Sequence, residues 1–297
     1  LDSLSQCGVK VRSLHELTDM EKLTSLATTH YEELLGASQN FGPLQLVSKT
    51  QEARSLLQDL VTEKKQGDLE RTLAELPEEV FWEIYSEIYN CLMSFGVAKE
   101  LFDKHLAVVT GGRILDVGAG TGLITVPQYS RGKDVVAIEP QHSMRRQLVS
   151  AARKTVSEST LTVVPDYYSA QLHISGTYTH IAMRFVMYLF EDQLSSLRRA
   201  YDLLETGGTL AISNPLPMNP QDVQFQKFIE GLKLEMGHLG LRWKQEIVGP
   251  INKRLATQGN FFSREELEQR LLSVGFKIET TEHVKTAFFV VASKNPG

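Results

Sequence analysis

The stretch RILDVGAGTGLITVPQ, residues 113–128, places three glycines within five positions directly after an apolar run. The run before Gly118, Gly120 and Gly122 has the composition of a buried strand, and a helical pattern follows them. Glycine lets the backbone adopt conformations closed to other residues and lets a ligand approach the main chain closely. A strand, a glycine-rich turn and a helix in this order are typical of a cofactor site. The stretch therefore predicts a cofactor-binding loop in an α/β fold.

The spacing of the glycines and the position of Asp116 separate two classes of cofactor. Dinucleotide-binding loops prefer G-x-G-x-x-G, whereas the sixth position here is Leu123. A negative charge at Asp116, at the end of the strand, would oppose a pyrophosphate. It suits a ligand that carries an ammonium and a sulfonium. The loop therefore disfavours a dinucleotide.

The pattern after residue 108 predicts the rest of the sheet. Strand-like runs alternate with helical stretches, which is typical of a parallel sheet covered on both faces; the runs are RILDVG, DVVAIEP, LTVVPDY, THIAMRFVM and GTLAISNP. Near the end, KIETTEHVK and TAFFVVASK follow each other with almost no linker, so they must pair antiparallel. A capping box, Ser263 and Glu266, opens the helix before them, and Gly275 ends it. We expect an α/β fold with a doubly wound, mostly parallel seven-stranded sheet whose last strand is antiparallel.

The part of the chain before this core has helical periodicity throughout. Apolar residues recur at three- and four-residue steps in DMEKLTSLATTHYEELLG, in LQLVSKTQEARSLLQDLVTEKK and in the run from Pro77 to residue 106. Pro77 with two glutamates is a typical helix start. We therefore predict an α-helical N-terminal cap or lid at residues 1–107 and a core at 108–297. A further helical insert is expected within the core at 216–256.

Taken together, these features resemble the class I S-adenosylmethionine-dependent methyltransferases of the small-molecule type. ILDVGAGTG is similar to the first motif of that family, and the final hairpin is similar to its antiparallel seventh strand. VVAIEP ends in Glu139, about twenty residues past the first glycine, where the family binds both ribose hydroxyls. LLETGGTLAISNP is similar to the segment in which a helix closed by Gly207 and Gly208 leads into strand five. The resemblance covers residues 108–297.

The resemblance implies S-adenosylmethionine as the cofactor and assigns residues to it. The candidates in the core are Asp116, Gly118, Ala119, Gly120, Gly122, Glu139, Pro140, Met144, Asp166, Tyr167, Arg184 and Phe185. Met144 would pack against the adenine, with a plain core position as the alternative. Asp166 or Tyr167 would contact the adenine amino group, the register being open by one residue. Arg184 and Phe185 would lie next to the transferred methyl group.

An aromatic stripe in the last cap helix points to the same site. Phe81, Trp82, Tyr85 and Tyr89 recur at helical spacing just before the core. Either the stripe docks the cap onto the core, or Tyr85 and Tyr89 close over the cofactor, as helices that precede this fold often do. Both can hold, and we include these two tyrosines among the cofactor-binding candidates.

No catalytic base stands in a recognisable signature. Methyl transfer is an in-line displacement in which positioning can supply most of the acceleration. A hydroxyl acceptor often also needs a group that removes its proton. The candidates for a catalytic role are His238 in the helical insert, Arg184 and Tyr188, with core packing as the alternative for Tyr188.

Composition and charge argue against several classes of function. The 297 residues carry a formal net charge of −5, which argues against a dedicated nucleic-acid binder. No apolar run approaches the length of a membrane span. Two cysteines, Cys7 and Cys91, are too few for a disulfide framework or a cysteine zinc site. We therefore expect a cytoplasmic protein that binds neither a membrane, a nucleic-acid duplex nor a metal.

The expected activity is transfer of a methyl group from S-adenosylmethionine to oxygen or nitrogen of a small organic acceptor, in a biosynthetic pathway. A cap and an insert that enclose a pocket suit a small molecule better than a protein or a duplex. Two alternatives stay open: an RNA or protein methyltransferase, and a cofactor-binding protein of the same fold that transfers no methyl group. A start at Leu1 also leaves open a domain of a larger synthase, whose acceptor would arrive on a carrier protein. The sequence does not indicate the oligomeric state.

Overall fold

A computed structural model describes residues 42–109, 111–155, 157–238 and 242–295, without the side chains of Pro43, His238 and Arg242. The predicted helix DMEKLTSLATTHYEELLG lies outside the described residues. The helices are α1 (Pro43–Thr62), α2 (Gln66–Glu75), α3 (Glu78–Leu92), α4 (Gly96–Val108), α5 (Thr125–Ser130), α6 (His142–Ala152), α7 (Gln193–Leu203), α8 (Val223–His238), α9 (Arg242–Gln258) and α10 (Arg264–Val274). The strands are β1 (Arg113–Val117), β2 (Asp134–Ile138), β3 (Leu161–Val164), β4 (Tyr178–Arg184), β5 (Leu204–Pro215), β6 (Phe276–Val284) and β7 (Ala287–Lys294).

The seven strands form one sheet in the order β3-β2-β1-β4-β5-β7-β6. The pairs from β3 to β5 are parallel, and β7 lies antiparallel between β5 and β6. The predicted doubly wound sheet with an antiparallel last strand is confirmed. Because the strand order reverses between β1 and β4, the connections that follow these two strands diverge and leave a crevice at the carboxyl edge.

Helices cover both faces of the sheet. Leu115 of β1 packs in one core cluster with Leu197 of α7, and both side chains are fully buried. On the opposite face, Ala137 of β2 packs in another cluster with Leu148 of α6. The strands from β1 to β4 are apolar on both sides for this reason, as expected of a parallel sheet between two helical layers.

The helices before β1 pack together with the helices of the insert. One buried cluster contains Leu57 of α1, Leu69 of α2, Ile84 of α3 and Ile251 of α9. The helical insert thus lies against the N-terminal helices, and the two together form one layer. The division into a cap of residues 1–107 and a core of 108–297 stays a prediction.

Two elements end at places other than those predicted. The helical run from Pro77 is broken into α3 and α4, because Gly96 has φ of +58°, which a continuous right-handed helix does not permit. Helix α7 ends at Leu203 and not at the predicted glycine pair. The reason is that Leu204 already pairs with Tyr178 of β4. The capping box of α10 is present as predicted, and Gly275 ends that helix with φ of +109°.

Arg254 of α9 is the polar anchor between the insert and the N-terminal helices. It is buried, and its Nη1 donates to the carbonyl oxygens of Leu73, at 2.8 Å, and Leu76, at 2.9 Å. Its guanidinium also lies 4.2 Å from the ring centroid of Phe81 in α3. The Arg254 side chain thus donates hydrogen bonds to carbonyl oxygens at the end of α2 and covers an aromatic ring of α3.

We predict that Arg254→Ala lowers the free energy of unfolding by about 2–4 kcal/mol, because two buried carbonyls lose a charged donor. The neighbouring Lys253, which forms an exposed ion pair with Glu70, is the matched control, and Lys253→Ala should cost less than about 1 kcal/mol. Urea unfolding of both variants measures the difference. Equal losses would show that Arg254 is not the anchor.

Candidate active site

The loop after β1 needs its glycines for two separate reasons. Gly118, Gly120 and Gly122 have φ of +67°, +58° and +87°, in the region that side chains disfavour. A Cβ on Gly118 would also lie 2.5 Å from Cγ2 of Val186, and one on Gly122 would lie 2.9 Å from Cγ of Leu148. The loop can therefore pack this closely only without side chains at these positions.

Glu139, directly after β2, is tied to this loop. Its Oε2 accepts from the Gly120 N–H at 2.7 Å, and its Oε1 accepts from the Gln141 N–H at 2.8 Å. The side chain is buried, and burial raises the pKa of Glu139 to about 7, against the opposing effect of these two hydrogen bonds. A carboxylate offers about four acceptor positions, so each oxygen can still take one more donor.

Asp116 lies beneath the loop and not at its surface. Its carboxylate is buried in β1 and accepts from the Thr125 hydroxyl at 2.6 Å. Burial raises the pKa of Asp116 to about 6, partly offset by that hydrogen bond. Asp116 is not part of the cavity wall described below, so the direct contact with a ligand ammonium that the sequence suggested has no support from its position.

A cavity of about 830 Å³ opens above the carboxyl edge of the sheet. Its walls come from the ends of β1, β2 and β4, from α3 and the start of α4, and from α8 and α9. The predicted site residues that line it are Tyr85, Tyr89, Gly118, Gly120, Glu139, Pro140, Met144, Tyr167, Arg184, Phe185 and Tyr188. Asp116, Ala119, Gly122 and Asp166 lie outside this wall. The side chain of His238 lies outside the described residues.

Helix α3 is fixed over the glycine loop by polar contacts that the sequence did not reveal. The Thr121 hydroxyl donates to Asn90, and Gln147 of α6 donates to the Ser86 carbonyl at 2.9 Å. Glu83, buried in α3, forms an ion pair with Arg146 of α6 at 2.8 Å. The residues of α3 among them, Glu83, Ser86 and Asn90, belong to no motif, and only their helical spacing relative to the aromatic stripe could have indicated them.

The aromatic stripe of α3 forms a continuous wall. The ring centroids of Trp82 and Tyr85 are 5.5 Å apart, and those of Tyr85 and Tyr89 are also 5.5 Å apart in an edge-on arrangement. Tyr89 lies directly over the loop, since a Cβ on Gly120 would come within 3.5 Å of its hydroxyl oxygen. The stripe thus packs onto the core and also borders the cavity, and closure of Tyr85 and Tyr89 over the cofactor stays a prediction.

The segment after β4 supplies the opposite wall. Arg184 is buried, and its guanidinium donates to the Ala98 carbonyl at 3.3 Å and to the Tyr89 hydroxyl at 3.5 Å. Phe185 has φ of +53°, a strained conformation for a bulky side chain. Tyr188 stacks on Phe261, with ring centroids 4.7 Å apart.

The family follows from a match that covers more than half of the chain. A sequence profile of the family described as "Methyltransferase domain" matches residues 89–281, which include the glycine loop, Glu139 and β1 to β5. The chain belongs to the S-adenosylmethionine-dependent methyltransferases. The predicted class I methyltransferase family, the enzyme class and the cofactor are therefore confirmed, and the small-molecule type stays a prediction.

A curated relative matches a smaller part of the methyltransferase. The tRNA U34 carboxymethyltransferase of Desulforapulum autotrophicum is 24% identical over 123 residues, which cover 41% of this chain and 38% of that protein. The alignment thus spans little more than a third of the length of that relative.

Solved structures share the fold. Phosphoethanolamine N-methyltransferase 2 of Haemonchus contortus, in complex with S-adenosyl-L-methionine, has a TM-score of 0.50 at 14% identity, with coverage of 72% of this chain and 57% of that one. The cyclase SpnF has a TM-score of 0.51 at 13% identity, with coverage of 73% and 94%. At such identities the likeness concerns the fold alone.

The residues of the cavity fit the family's cofactor. The bare backbone of Gly118 and Gly120 leaves room for a close approach, and the free acceptor positions of Glu139 suit a pair of ribose hydroxyls. Met144, which is buried and lines the cavity, offers an apolar surface for a purine. When bound, S-adenosylmethionine supplies a methyl group on a sulfonium, which an acceptor's lone pair can take while the sulfur keeps the electrons of the broken bond.

The raised pKa of Glu139 leads to a prediction on pH. Because the folded protein holds this proton more tightly than the unfolded chain, the ionised carboxylate destabilises the unliganded fold, and stability falls between pH 4.5 and about 7. Glu139 should contribute about 3 kcal/mol of this loss. Glu139→Gln should remove that part and keep the part due to Asp116, whose pKa burial raises to about 6, whereas the exposed Glu191→Gln should keep both.

Calorimetry with S-adenosylhomocysteine tests whether the Glu139 carboxylate also contributes to cofactor binding. The affinity of the native protein should rise with pH through about 7, and that of Glu139→Gln should be at least about tenfold weaker and independent of pH. Parallel pH profiles for the two proteins would show that Glu139 does not hold the cofactor.

Proposed function

We propose that this methyltransferase acts on oxygen or nitrogen of a small organic acceptor. The observation that carries the proposal is that helices from two parts of the chain line the cavity. Residues of α3 and the start of α4 line it, and so do residues of α8 and α9 of the insert. Phe225 of α8 and Leu255 of α9 are both buried while they line it. Concave sites of this kind are typical of small ligands.

The size of the cavity supports the same conclusion. A volume of about 830 Å³ lies in the upper part of the range of small-molecule pockets, so it has room for a cofactor together with a modest acceptor. Helix α3 would act as the lid of this cavity, because its aromatic stripe borders the glycine loop. A group tethered to a carrier protein could also enter such a cavity, and this form of the acceptor is included in the proposal.

Our proposals on binding partners and cellular location rest on the net charge of the chain and on the composition of its helices. The net charge of −5 gives no support to binding of a nucleic-acid duplex, and we propose a cytoplasmic, biosynthetic role. Within the described ranges no helix combines the length and the hydrophobicity of a membrane span. The same ranges contain no group of three or more histidine, cysteine or acidic side chains that could hold a metal ion.

A tRNA acceptor is the second candidate, because one observation favours it. The curated relative that aligns with part of the chain acts, by its name, on U34 of tRNA. A flipped-out base could reach a cavity that a duplex cannot enter. An RNA substrate would still have to be held by a protein of acidic balance, which is unfavourable for phosphate binding.

An assay with methyl-labelled S-adenosylmethionine separates these acceptors. The full chain is incubated with a cell extract divided into small molecules, carrier and other proteins, and total tRNA, and Gly118→Val serves as the inactive control because its side chain would collide with Val186. We expect label in the small-molecule or carrier fraction that depends on the native protein. Label confined to tRNA would overturn the proposal in favour of the second candidate.

A further inference from the structure

Four polar side chains near one another line the cavity. This tyrosine–arginine cluster consists of Tyr85, Tyr89, Tyr188 and Arg184, all of which line the cavity. Tyr89 touches both Tyr85 and the Arg184 guanidinium, and Tyr188 is close enough to Tyr85 to influence its ionisation. The rest of the lining around the cluster is largely apolar, so this is the polar centre of the site.

The cluster offers hydrogen-bond donors to the cavity. Burial raises the pKa of Tyr85, Tyr89 and Tyr188, so all three phenols keep their protons at neutral pH. The Tyr85 and Tyr188 side chains line the cavity, so their hydroxyls can donate to a ligand that enters it. In the described part of the chain, Arg184 has no ion pair, and its buried Nε has no partner. A buried donor such as this Nε destabilises the protein unless a ligand satisfies it.

The start of α4 adds further positive potential to the same cavity. Gly96, Val97 and Ala98 line the cavity, and Phe95 at the N-cap position provides no side-chain cap. No acidic residue stands in the first turn of this helix. The free N–H groups of a helix start attract negative charge, and here they adjoin the Arg184 guanidinium.

Negative groups are placed elsewhere in the cavity. Glu139 lies at the end of β2, where the cofactor's ribose is expected, and Glu78 and Glu235 are exposed at the rim. No histidine is present among the described lining residues. Glu139 and Asp116 act on Tyr89 through space, but their hydrogen bonds go to the Gly120 and Gln141 N–H groups and to the Thr125 hydroxyl. The charged member of the cluster itself is the Arg184 guanidinium, which favours an anion over an ammonium.

Aromatic side chains contact two members of the cluster: the ring centroid of Trp82 lies 5.5 Å from that of Tyr85, and that of Phe261 lies 4.7 Å from that of Tyr188. Trp82 of α3 faces this region together with Phe190, Phe225, Phe228 and Phe261, which come from the segment after β4, from α8 and from the segment after α9. Flat rings pack well between such surfaces. The walls thus favour a ring-bearing body, and the centre favours an anionic oxygen.

We infer that the acceptor is an apolar, ring-containing molecule with an acidic oxygen, a carboxylate or a phenol, and that the tyrosine–arginine cluster binds this oxygen as an oxyanion. The inference rests on the proposed small-molecule function. The oxyanion is attracted by the cofactor's sulfonium, and its lone pair forms the new bond to the methyl carbon as the S–CH₃ bond breaks. The product is a neutral ester or ether. A carboxylate has no proton to lose, and a phenol gives its proton to solvent on binding.

Calorimetry with naphthyl probes on protein saturated with S-adenosylhomocysteine tests this inference. Naphthoate, naphthamide and naphthylmethylammonium share one ring body and differ in the charge of the polar group. Naphthoate should bind at least about tenfold more tightly than the other two. This preference should disappear in Tyr188→Phe and in Arg184→Gln. It should persist in Tyr201→Phe and Arg198→Gln, which remove the same groups outside the cavity.

The main rival occupant of the cluster is the cofactor's own carboxylate. A comparison of S-adenosylhomocysteine with methylthioadenosine, which lacks that carboxylate, separates the two. If Arg184→Gln weakens only S-adenosylhomocysteine while the naphthoate preference persists, the inference is overturned. It is also overturned if the ammonium probe binds best or if no probe binds. None of these results affects the proposed function, because that function is tested separately by the fraction of the extract that becomes labelled.

Discussion

The hydrogen bond from the Gly120 N–H to the Glu139 carboxylate is the constraint on which the site depends. It joins the loop after β1 to the end of β2, two strands that pair in parallel along their whole length. The loop can reach Glu139 only because Gly118, Gly120 and Gly122 adopt positive φ angles. Helix α3 then lies on this joined surface through Tyr89 and Asn90. The cavity is thus built outward from a contact between a backbone amide and one carboxylate.

This arrangement stores free energy in the unliganded protein. Glu139, Asp116 and Arg184 are buried polar groups, and Phe185 has a strained backbone. Each of them destabilises the fold by itself. They share one location, the carboxyl edge between β1, β2 and β4, where a ligand with complementary charge offsets the cost. Such a concentration of unfavourable groups is typical of a functional site and not of a structural core.

The sequence predicted the sheet and the glycine loop because their signals are local. The alternation of apolar runs and helical stretches determines a parallel sheet, and the missing linker before TAFFVVASK determines the antiparallel strand. Glu139 was also predictable, since its distance from Gly118 along the chain follows from the β-α-β unit. The predictions failed where distant segments decide the outcome: Leu204 pairs with Tyr178 and thereby shortens α7. For the same reason no sequence pattern indicated the contacts of Thr121 or Gln141, or the position of Asp116 beneath the loop.

A calorimetric comparison of S-adenosylhomocysteine with NAD tests the central claim most directly. The geometry of the loop, with Leu123 in place of the third glycine of dinucleotide sites and Glu139 at the ribose position, discriminates between these two ligands. The account predicts saturable binding of one S-adenosylhomocysteine per chain and no heat from NAD under the same conditions. Saturable binding of NAD without binding of S-adenosylhomocysteine would contradict it.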